Sequence, residues 1–123
     1  MGKKKILIAD DESNIRLLVS SMLSKDYTVL KASGGEEAID IARSQNPDLI
    51  LMDILMPKLD GYTACSTIKK DPATKAIPVV MLTAVGYELN KRLAKEVGAD
   101  GYITKPFNLP DLLDTIGQFL PSS

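Results

Sequence analysis

The sequence KILIADDE, at residues 5–12, joins a short apolar run to an acidic turn, and similar short runs recur along the chain. The run from Lys5 to Ala9 is too short for a helix and is rich in Ile, which is typical of a buried strand. Four further runs follow, at Tyr27 to Ala32, Leu49 to Met52, Val79 to Leu82 and Gly101 to Thr104. The second and fifth runs are more polar, which suits strands nearer the edges of a sheet.

Longer segments with helical spacing separate the runs. The first of these carries apolar residues at intervals of three and four: Ile15, Leu18, Val19, Met22 and Leu23. The last is marked by Leu109, Leu112, Leu113, Ile116 and Leu120, with Pro110 in its first turn, where a missing N–H does no harm. A β-α unit repeated five times predicts an α/β fold with a mostly parallel five-stranded sheet and helices on both faces.

Composition narrows the classes of function. The chain has 123 residues, the size of one ordinary domain, and we expect a single domain over 1–123. The net charge is -1 and the cations are scattered, so no nucleic-acid partner is expected. No apolar run approaches the roughly 20 residues of a membrane span, so no membrane insertion is expected. One cysteine fits a cytoplasmic protein, and the three residues after the last helix favour a stand-alone regulator.

The absence of histidine is the sharpest exclusion. It removes Ser-His-Asp and Cys-His nucleophile pairs, and also zinc bound through histidine. Chemistry in this chain must therefore use carboxylates, hydroxyls, lysines and a bound ion.

Polar residues follow four of the five runs, where the carboxyl ends of parallel strands meet and ligands bind. They are Asp10 and Asp11 after the first run, Asp53 after the third, Thr83 after the fourth, and Lys105, which precedes Pro106, after the fifth. Each has an ordinary structural alternative. Asp11 could cap the next helix, Asp53 could be a turn residue, Thr83 could bond to backbone, and Lys105 could be a solvated charge.

The combination favours a site. Three carboxylates at one edge repel each other unless a cation lies among them. An oxygen-rich site with few protein ligands suits magnesium. A lysine and a hydroxyl beside it would serve an incoming phosphoryl group as counter-charge and hydrogen-bond donor.

Four motifs in this order resemble the receiver domain of bacterial two-component response regulators, over essentially the whole chain. They are ILIADDE (6–12), DILMPKLDG (53–61), LTA (82–84) and GADGYITKPF (98–107). The resemblance implies a flavodoxin-like doubly wound sheet with strand order 2-1-3-4-5. It also implies a phosphoacceptor switch rather than an enzyme with a separate substrate, phosphorylated by a partner sensor histidine kinase.

Residue roles follow from the same resemblance. Asp53 is the phosphoacceptor. Mg²⁺, for which Mn²⁺ can substitute, is bound by Asp11, Asp53 and the backbone carbonyl of Leu55, and by Asp10 mainly through water. Lys105 pairs with the phosphoryl oxygens. The resemblance assigns the switch to Thr83, the Ala84 N–H and Tyr102, and makes the Lys105-Pro106 bond cis.

Two hypotheses concern lifetime and docking. Leu55 and Val85 occupy the positions that tune phosphoryl lifetime in the family. Because both are apolar, neither can orient an attacking water, so hydrolysis should be slow without a partner.

On the first helix, Leu17 points away from the apolar arc. It is either one stray exposed leucine or part of a kinase-docking surface with Ile15 and Leu18; Pro106 and Phe107 belong to the same predicted surface.

Alternatives remain open at this point. An aspartyl-phosphate phosphatase of the haloacid-dehalogenase type would need an Asp where Leu55 stands. A flavodoxin-like cofactor binder would place phosphate against Asp10, Asp11 and Glu12, which would repel it. A degenerate receiver would act only as a protein-binding module. The downstream partner is either a protein target or a phosphotransfer protein.

Overall fold

The computed structural model describes residues 2–84 and 88–120. Strands and helices alternate along the chain. They are β1 (Lys5–Ala9), α1 (Ser13–Leu23), β2 (Thr28–Ala32), α2 (Gly35–Gln45), β3 (Leu49–Asp53), α3 (Gly61–Lys70), β4 (Val79–Ala84), α4 (Glu88–Glu96), β5 (Gly101–Lys105) and α5 (Leu109–Phe119). None of the described helices has the length and apolar character needed to cross a membrane.

The strands form one parallel sheet in the order β2-β1-β3-β4-β5. This confirms the predicted α/β class and the strand order 2-1-3-4-5. The more polar second and fifth runs are the edge strands, as predicted. All five residues of β3 are buried, because a central strand of a parallel sheet is covered by helices on both faces.

Two apolar layers cover the sheet. On one face, Ile6 and Ile8 of β1 pack in a cluster with Val19 of α1 and Leu112 of α5. On the other face, the neighbouring side chain of Leu7 belongs to a cluster with residues of α2, α3 and α4. Side chains alternate across a strand, so each strand contributes to both layers and the sheet is fixed from both sides.

Three leucines of the helical pattern do not lie in the core. Leu18 is 43% exposed, Leu109 is 37% exposed and Leu113 is 42% exposed. In α1 the fully buried positions are Val19 and Leu23. Spacing at three and four therefore identified the helices correctly but gave too wide a buried face, because each helix contacts the sheet along a narrow stripe.

A lysine holds the end of the sheet opposite to the carboxyl ends of the strands. The Nζ of Lys69, near the end of α3, donates to the carbonyl oxygen of Ile77 at 2.7 Å. The same atom lies 2.6 Å from the Asp100 carboxylate, which in turn accepts a hydrogen bond from the Val79 N–H at 2.8 Å. Lys69 thus ties α3 to the connections that lead into β4 and β5.

Cys65 of α3 is buried, as its place on an apolar helix face predicted. Burial raises the pKa of its thiol to about 11, with a smaller lowering effect from Lys69 and a raising one from Asp100. The thiol therefore stays protonated near neutral pH and is a poor nucleophile.

Candidate functional site

Three carboxylates meet at the carboxyl ends of β1 and β3. These strands are neighbours, with Ala9 opposite Met52, so the residues that follow each partner come side by side. One ligand oxygen from each of Asp10, Asp11 and Asp53 lies within 4.8 Å of the others. Asp10 is fully buried, Asp53 is 6% exposed and Asp11 is exposed. The sequence placed the three carboxylates at one edge, and the structure brings them together.

Asp10 is held through its side chain and its backbone. Its Oδ1 accepts a hydrogen bond from the Glu12 N–H at 2.9 Å, and its Oδ2 accepts one from Lys105 Nζ at 3.0 Å. Its own N–H donates to the carbonyl oxygen of Ala32 at 3.0 Å. A carboxylate so fully bonded has little freedom to turn towards a ligand.

Asp11 does not cap the following helix. The N-cap residue of α1 is Glu12, and no side chain makes a capping hydrogen bond there. The alternative that Asp11 is present for helix capping is therefore wrong. The exposed Asp11 carboxylate instead faces the same space as Asp53, at the mouth of the site.

Lys105 lies between two of the carboxylates. Its Nζ is 3.0 Å from Asp10 Oδ2 and 3.2 Å from Asp53 Oδ1, and its side chain is 23% exposed. Burial lowers the pKa of Lys105, but the hydrogen bond to Asp10 and the charge of Asp53 outweigh it, so the pKa is raised. The ammonium is charged at neutral pH, and the alternative of a merely solvated lysine is wrong.

Asp53 ionises less readily than an ordinary aspartate. Burial, followed by the charge of Asp10, raises its pKa from 3.8 to about 6, against the lowering effect of Lys105. Burial contributes more to this shift than the charge of Asp10 does, and the Lys105 ammonium does not fully offset the two. A divalent cation beside Asp53 would supply further positive charge and favour its ionised form.

The donors fit a hard cation. Carboxylate oxygens are the ligands that magnesium and calcium take, and an exposed Asp11 leaves one side open for water or substrate oxygen. The described residues offer no thiol or imidazole here, so a softer metal would lack its usual ligands. The acidic group formed by Asp10, Asp11 and Asp53 can hold a metal ion.

A cleft of about 600 Å³ opens over the acidic group. Its charged lining residues are Asp11, Glu12, Asp53 and Lys105, whereas its remaining walls are apolar. Those walls comprise Ile15, Leu18, Ile54, Leu55, Leu82, Pro106 and Phe107. Leu55 is 74% exposed at this edge. The charged residues of such a cleft can bind a charged group, and its apolar wall can contact the surface of the molecule that carries this group.

The chain after β3 is held close to the site by Gly61. The Gly61 N–H donates to the carbonyl oxygen of Ile54 at 2.9 Å. A Cβ at position 61 would lie 2.2 Å from the carbonyl oxygen of Asp53, so a side chain does not fit there. Asp60 caps α3 by accepting a hydrogen bond from the Thr63 N–H at 2.8 Å.

The remaining predicted residues occupy different places. Thr83 is buried in β4, one residue before the end of the strand and one residue beyond the partner of Asp53. Ala84 ends β4 opposite Lys105, and Val85 lies outside the described residues. Tyr102 of β5 is 47% exposed, and it borders a second cleft between α4 and β5 rather than the one above the carboxylates.

The predicted docking residues are only partly assembled. Ile15, Leu18, Pro106 and Phe107 all line the cleft. Leu17 is 66% exposed but does not line it, which follows from its different direction on α1. The Lys105-Pro106 bond is cis, as predicted.

Sequence reasoning missed Arg16. Its Nη1 donates to the carbonyl oxygen of Asp10 at 2.8 Å. The sequence did contain an indication of a special role, because Arg16 is the single charged residue in SNIRLLVSSML, the sequence of α1.

Known proteins share this sequence and fold. The family model described as response regulator receiver domain matches residues 6–117. A probable transcriptional regulator, ycf27, of Cyanophora paradoxa is 42% identical over 121 residues, which are 98% of this chain and 49% of that protein. The chain thus spans about half the length of the curated relatives it matches.

Two solved structures have the same architecture. The chemotaxis protein CheY4 of Vibrio cholerae superposes with a TM-score of 0.91 at 34% identity, covering 97% of this chain and 100% of that one. The receiver domain of sensor histidine kinase PA1611 from Pseudomonas aeruginosa, solved with a magnesium ion coordinated in its active site cleft, gives 0.90 at 28% identity, covering 98% and 100%. With a family match over most of its length and a common fold, the chain belongs to the response regulator receiver domains of two-component signalling.

Proposed function

We propose that this receiver domain accepts a phosphoryl group on the carboxylate of Asp53, with Mg²⁺ bound beside it. One observation carries the proposal: Asp53 is buried, 3.2 Å from the Lys105 ammonium, with an oxygen within 4.8 Å of Asp10 and Asp11 oxygens. The ordinary alternatives for a single carboxylate do not explain this convergence. Mn²⁺, which accepts the same oxygen ligands, is expected to substitute.

The chain's own residues supply positioning and charge. Phosphoryl transfer needs little covalent work from a protein beyond in-line placement and neutralised charge. An Asp53 oxygen attacks phosphorus in line and forms an acyl phosphate as the bond to the donor breaks, the P–N bond of a phosphohistidine or the P–O bond of acetyl phosphate, and the donor leaves as histidine or acetate. Lys105, already 3.2 Å away, pairs with the phosphoryl oxygens. Asp11, Asp53 and the Leu55 carbonyl would hold the cation directly and Asp10 through water. When bound, Mg²⁺ neutralises charge on the transferring oxygens.

The firm hold on Asp10 supports its indirect role. Both of its carboxylate oxygens already accept hydrogen bonds, one from Glu12 and one from Lys105. Each oxygen has one lone pair left, but the carboxylate cannot turn towards a cation without straining these bonds, whereas a bridging water would leave both undisturbed. Asp11 is exposed and free of that strain.

The structural effect of phosphorylation would be transmitted from Asp53 to the surface around Tyr102, beside the cleft between α4 and β5. Thr83 and the Ala84 N–H are proposed to close on the phosphoryl group, and Tyr102, now 47% exposed, to move inward as Thr83 moves. The changed surface would then bind a protein target or a phosphotransfer protein. In this role the domain assists its own modification and acts on no separate substrate.

The apolar cleft wall fits a histidine kinase as phosphoryl donor. The chain has no histidine of its own, so a phosphohistidine must come from a partner. That partner must reach Asp53 past Ile15, Leu18, Pro106 and Phe107. A helical surface with matching apolar side chains would bury this wall as it delivers its phosphoryl group.

The docking role of Leu17 has a direct test. Leu17→Glu should slow phosphoryl transfer from the kinase but leave the rate with acetyl phosphate unchanged. Leu113→Glu is a matched control, since Leu113 is also an exposed leucine but lies on α5 and is not among the predicted docking residues. Equal losses with both donors would contradict a docking role.

Slow autodephosphorylation is proposed for the same site. The exposed Leu55 places an apolar group at the mouth, where it cannot orient water. Leu55→Asn should shorten the lifetime of the acyl phosphate, measured after removal of the donor. A short lifetime that polar groups at positions 55 and 85 do not change would count against this.

The phosphoacceptor proposal is tested by intact mass. After incubation with acetyl phosphate and Mg²⁺, the protein should gain one phosphoryl group, and chelation of the metal or Asp53→Asn should abolish the gain. No gain with folded, metal-bound protein would favour a receiver that acts only as a binding module. The exposed Leu55 also disfavours a phosphatase, because it cannot serve as an acid or base.

Several expectations stay predictions. They include the limits of the domain at 1–123, a cytoplasmic location, the absence of a nucleic-acid partner and the stand-alone form. Relatives about twice as long carry names of transcriptional regulators. The similarity is therefore compatible with a stand-alone receiver and with a receiver that is part of a longer regulator.

A further inference from the structure

Arg16 connects the first helix to the acidic turn. Its Nη1 donates to the carbonyl oxygen of Asp10 at 2.8 Å, in a partly buried position. Arg16 is the single charged residue of α1, and its side chain is half-buried. Three carboxylates lie nearby, yet Arg16 donates to a backbone carbonyl oxygen. Charge attraction alone does not explain this choice of acceptor, which indicates a structural role.

Arg16 completes the bonding of Asp10. The other polar groups of this residue are bonded to the Ala32 carbonyl, the Glu12 N–H and Lys105. The carbonyl of Asp10 belongs to the peptide unit that leads directly into Asp11. Two contacts restrain that peptide: the bond from the Glu12 N–H to Asp10 Oδ1 spans it, and the bond from Arg16 holds its carbonyl oxygen directly.

We propose that Arg16 is a positioning residue for the divalent cation, acting through the Asp10–Asp11 peptide. By fixing the carbonyl of Asp10 it fixes the direction in which the next residue presents its carboxylate. Groups that orient metal ligands from outside the ligand set commonly affect affinity strongly. This inference rests on the proposed function, because it takes the three carboxylates to be a metal site.

Charge and positioning make opposite predictions for Arg16. A positive charge near the site repels a cation, so its removal would tighten metal binding if charge were dominant. Loss of the hydrogen bond frees the Asp10–Asp11 peptide and would weaken binding. The sign of the change therefore separates the two effects.

The test measures Mn²⁺ alone, by electron paramagnetic resonance of the free ion, with no phosphodonor present. Arg16→Met keeps an unbranched stem but has no donor, and Arg16→Lys keeps a donor. Arg43→Met is the matched control, because Arg43 of α2 also makes one 2.9 Å contact, to Asp71, away from the carboxylates. Urea unfolding without metal is measured for every variant.

Arg16→Met should weaken Mn²⁺ binding on the order of tenfold, with Arg16→Lys recovering most of the affinity. Arg43→Met should bind as the wild type does, while both methionine variants lose similar metal-free stability. If Arg16→Met does not fold, Arg16→Gln, whose amide ends short of the Nη1 position, takes its place.

Two results would overturn the inference in distinguishable ways. Unchanged or tighter Mn²⁺ binding by Arg16→Met, with normal binding by the wild type, removes the positioning role and leaves the metal site intact. Absence of binding by both the wild type and Arg43→Met removes the proposed metal site, and the role of Arg16 with it.

Discussion

Asp53→Asn should make the metal-free protein more stable at neutral pH. Burial and the charge of Asp10 raise the pKa of Asp53 from 3.8 to about 6, although Lys105 lowers it. At roughly 1.4 kcal/mol for each pKa unit, keeping this group ionised costs the folded state about 3 kcal/mol. Asparagine has nearly the same shape and no charge, so the variant should gain about 2–3 kcal/mol in the free energy of unfolding at about pH 7.5.

The gain must depend on pH with a defined sign. A carboxyl group whose folded pKa is raised contributes stability that is present below its unfolded value and is lost as the pH rises through the folded value. For Asp53 that window runs from 3.8 to about 6. The variant and the wild type should therefore be nearly equal in stability below the window and differ fully above it.

Urea unfolding at a series of pH values, with a chelator present, measures this difference. Asp71→Asn is a control of opposite sign, because the hydrogen bond from the Ala73 N–H and then the one from Arg43 lower the pKa of Asp71. That variant should lose stability above the unfolded pKa. Saturating Mg²⁺ should stabilise the wild type and not Asp53→Asn.

Either of two results would show that burial does not destabilise the ionised Asp53 carboxylate in this way. One is a variant less stable than the wild type at neutral pH without metal, which would mean that Lys105 more than compensates for burial. The other is a gain that stays constant with pH, which would place its origin in packing.

Three further predictions concern the frame around the site. Gly61→Ala should lower the free energy of unfolding by about 1–3 kcal/mol in urea, because the new Cβ would lie 2.2 Å from the Asp53 carbonyl oxygen. Gly117→Ala, in open space on α5, should raise it by up to about 1 kcal/mol. Equal effects of the two substitutions would contradict the close approach at Gly61. Lys69→Met should lose about 1–3 kcal/mol without changing Mn²⁺ affinity, and a change in affinity would show that the two ends of the sheet are coupled. Cys65, buried with a pKa of about 11, should react with a thiol reagent only on unfolding, and rapid labelling of folded protein would contradict its burial.

The fold was predictable because local patterns and topology agree. Lys5–Ala9 was predicted with the limits that β1 has, and the other strands differ from their runs by one or two residues at an end. Short apolar runs separated by helical spacing leave few arrangements other than a parallel sheet with helices on both faces. The strand order was predicted from the family resemblance alone, because the sequence of a single run does not indicate which distant run it pairs with.

The site was predictable in composition but not in detail. The carboxyl ends of neighbouring strands bring Asp10, Asp11 and Asp53 together, so a rule about topology sufficed for them. The two contacts of Lys105 and the contact of Arg16 depend on side-chain directions that sequence spacing does not give. The exposure of Leu18 likewise depends on how α1 lies against the sheet, and helical periodicity alone left open whether it lies in a broad core face or at the edge of a docking surface.

The most direct test of the central claim is to locate the acyl phosphate chemically. Protein incubated with acetyl phosphate and Mg²⁺ is treated with borohydride, which reduces an aspartyl phosphate to homoserine, and the peptides are sequenced by mass spectrometry. If Asp53 is the phosphoacceptor, homoserine appears at position 53 in the wild type, and none appears when the metal is left out. Homoserine at Asp10 or Asp11, or a phosphoryl group on a hydroxyl such as that of Thr83, would contradict it.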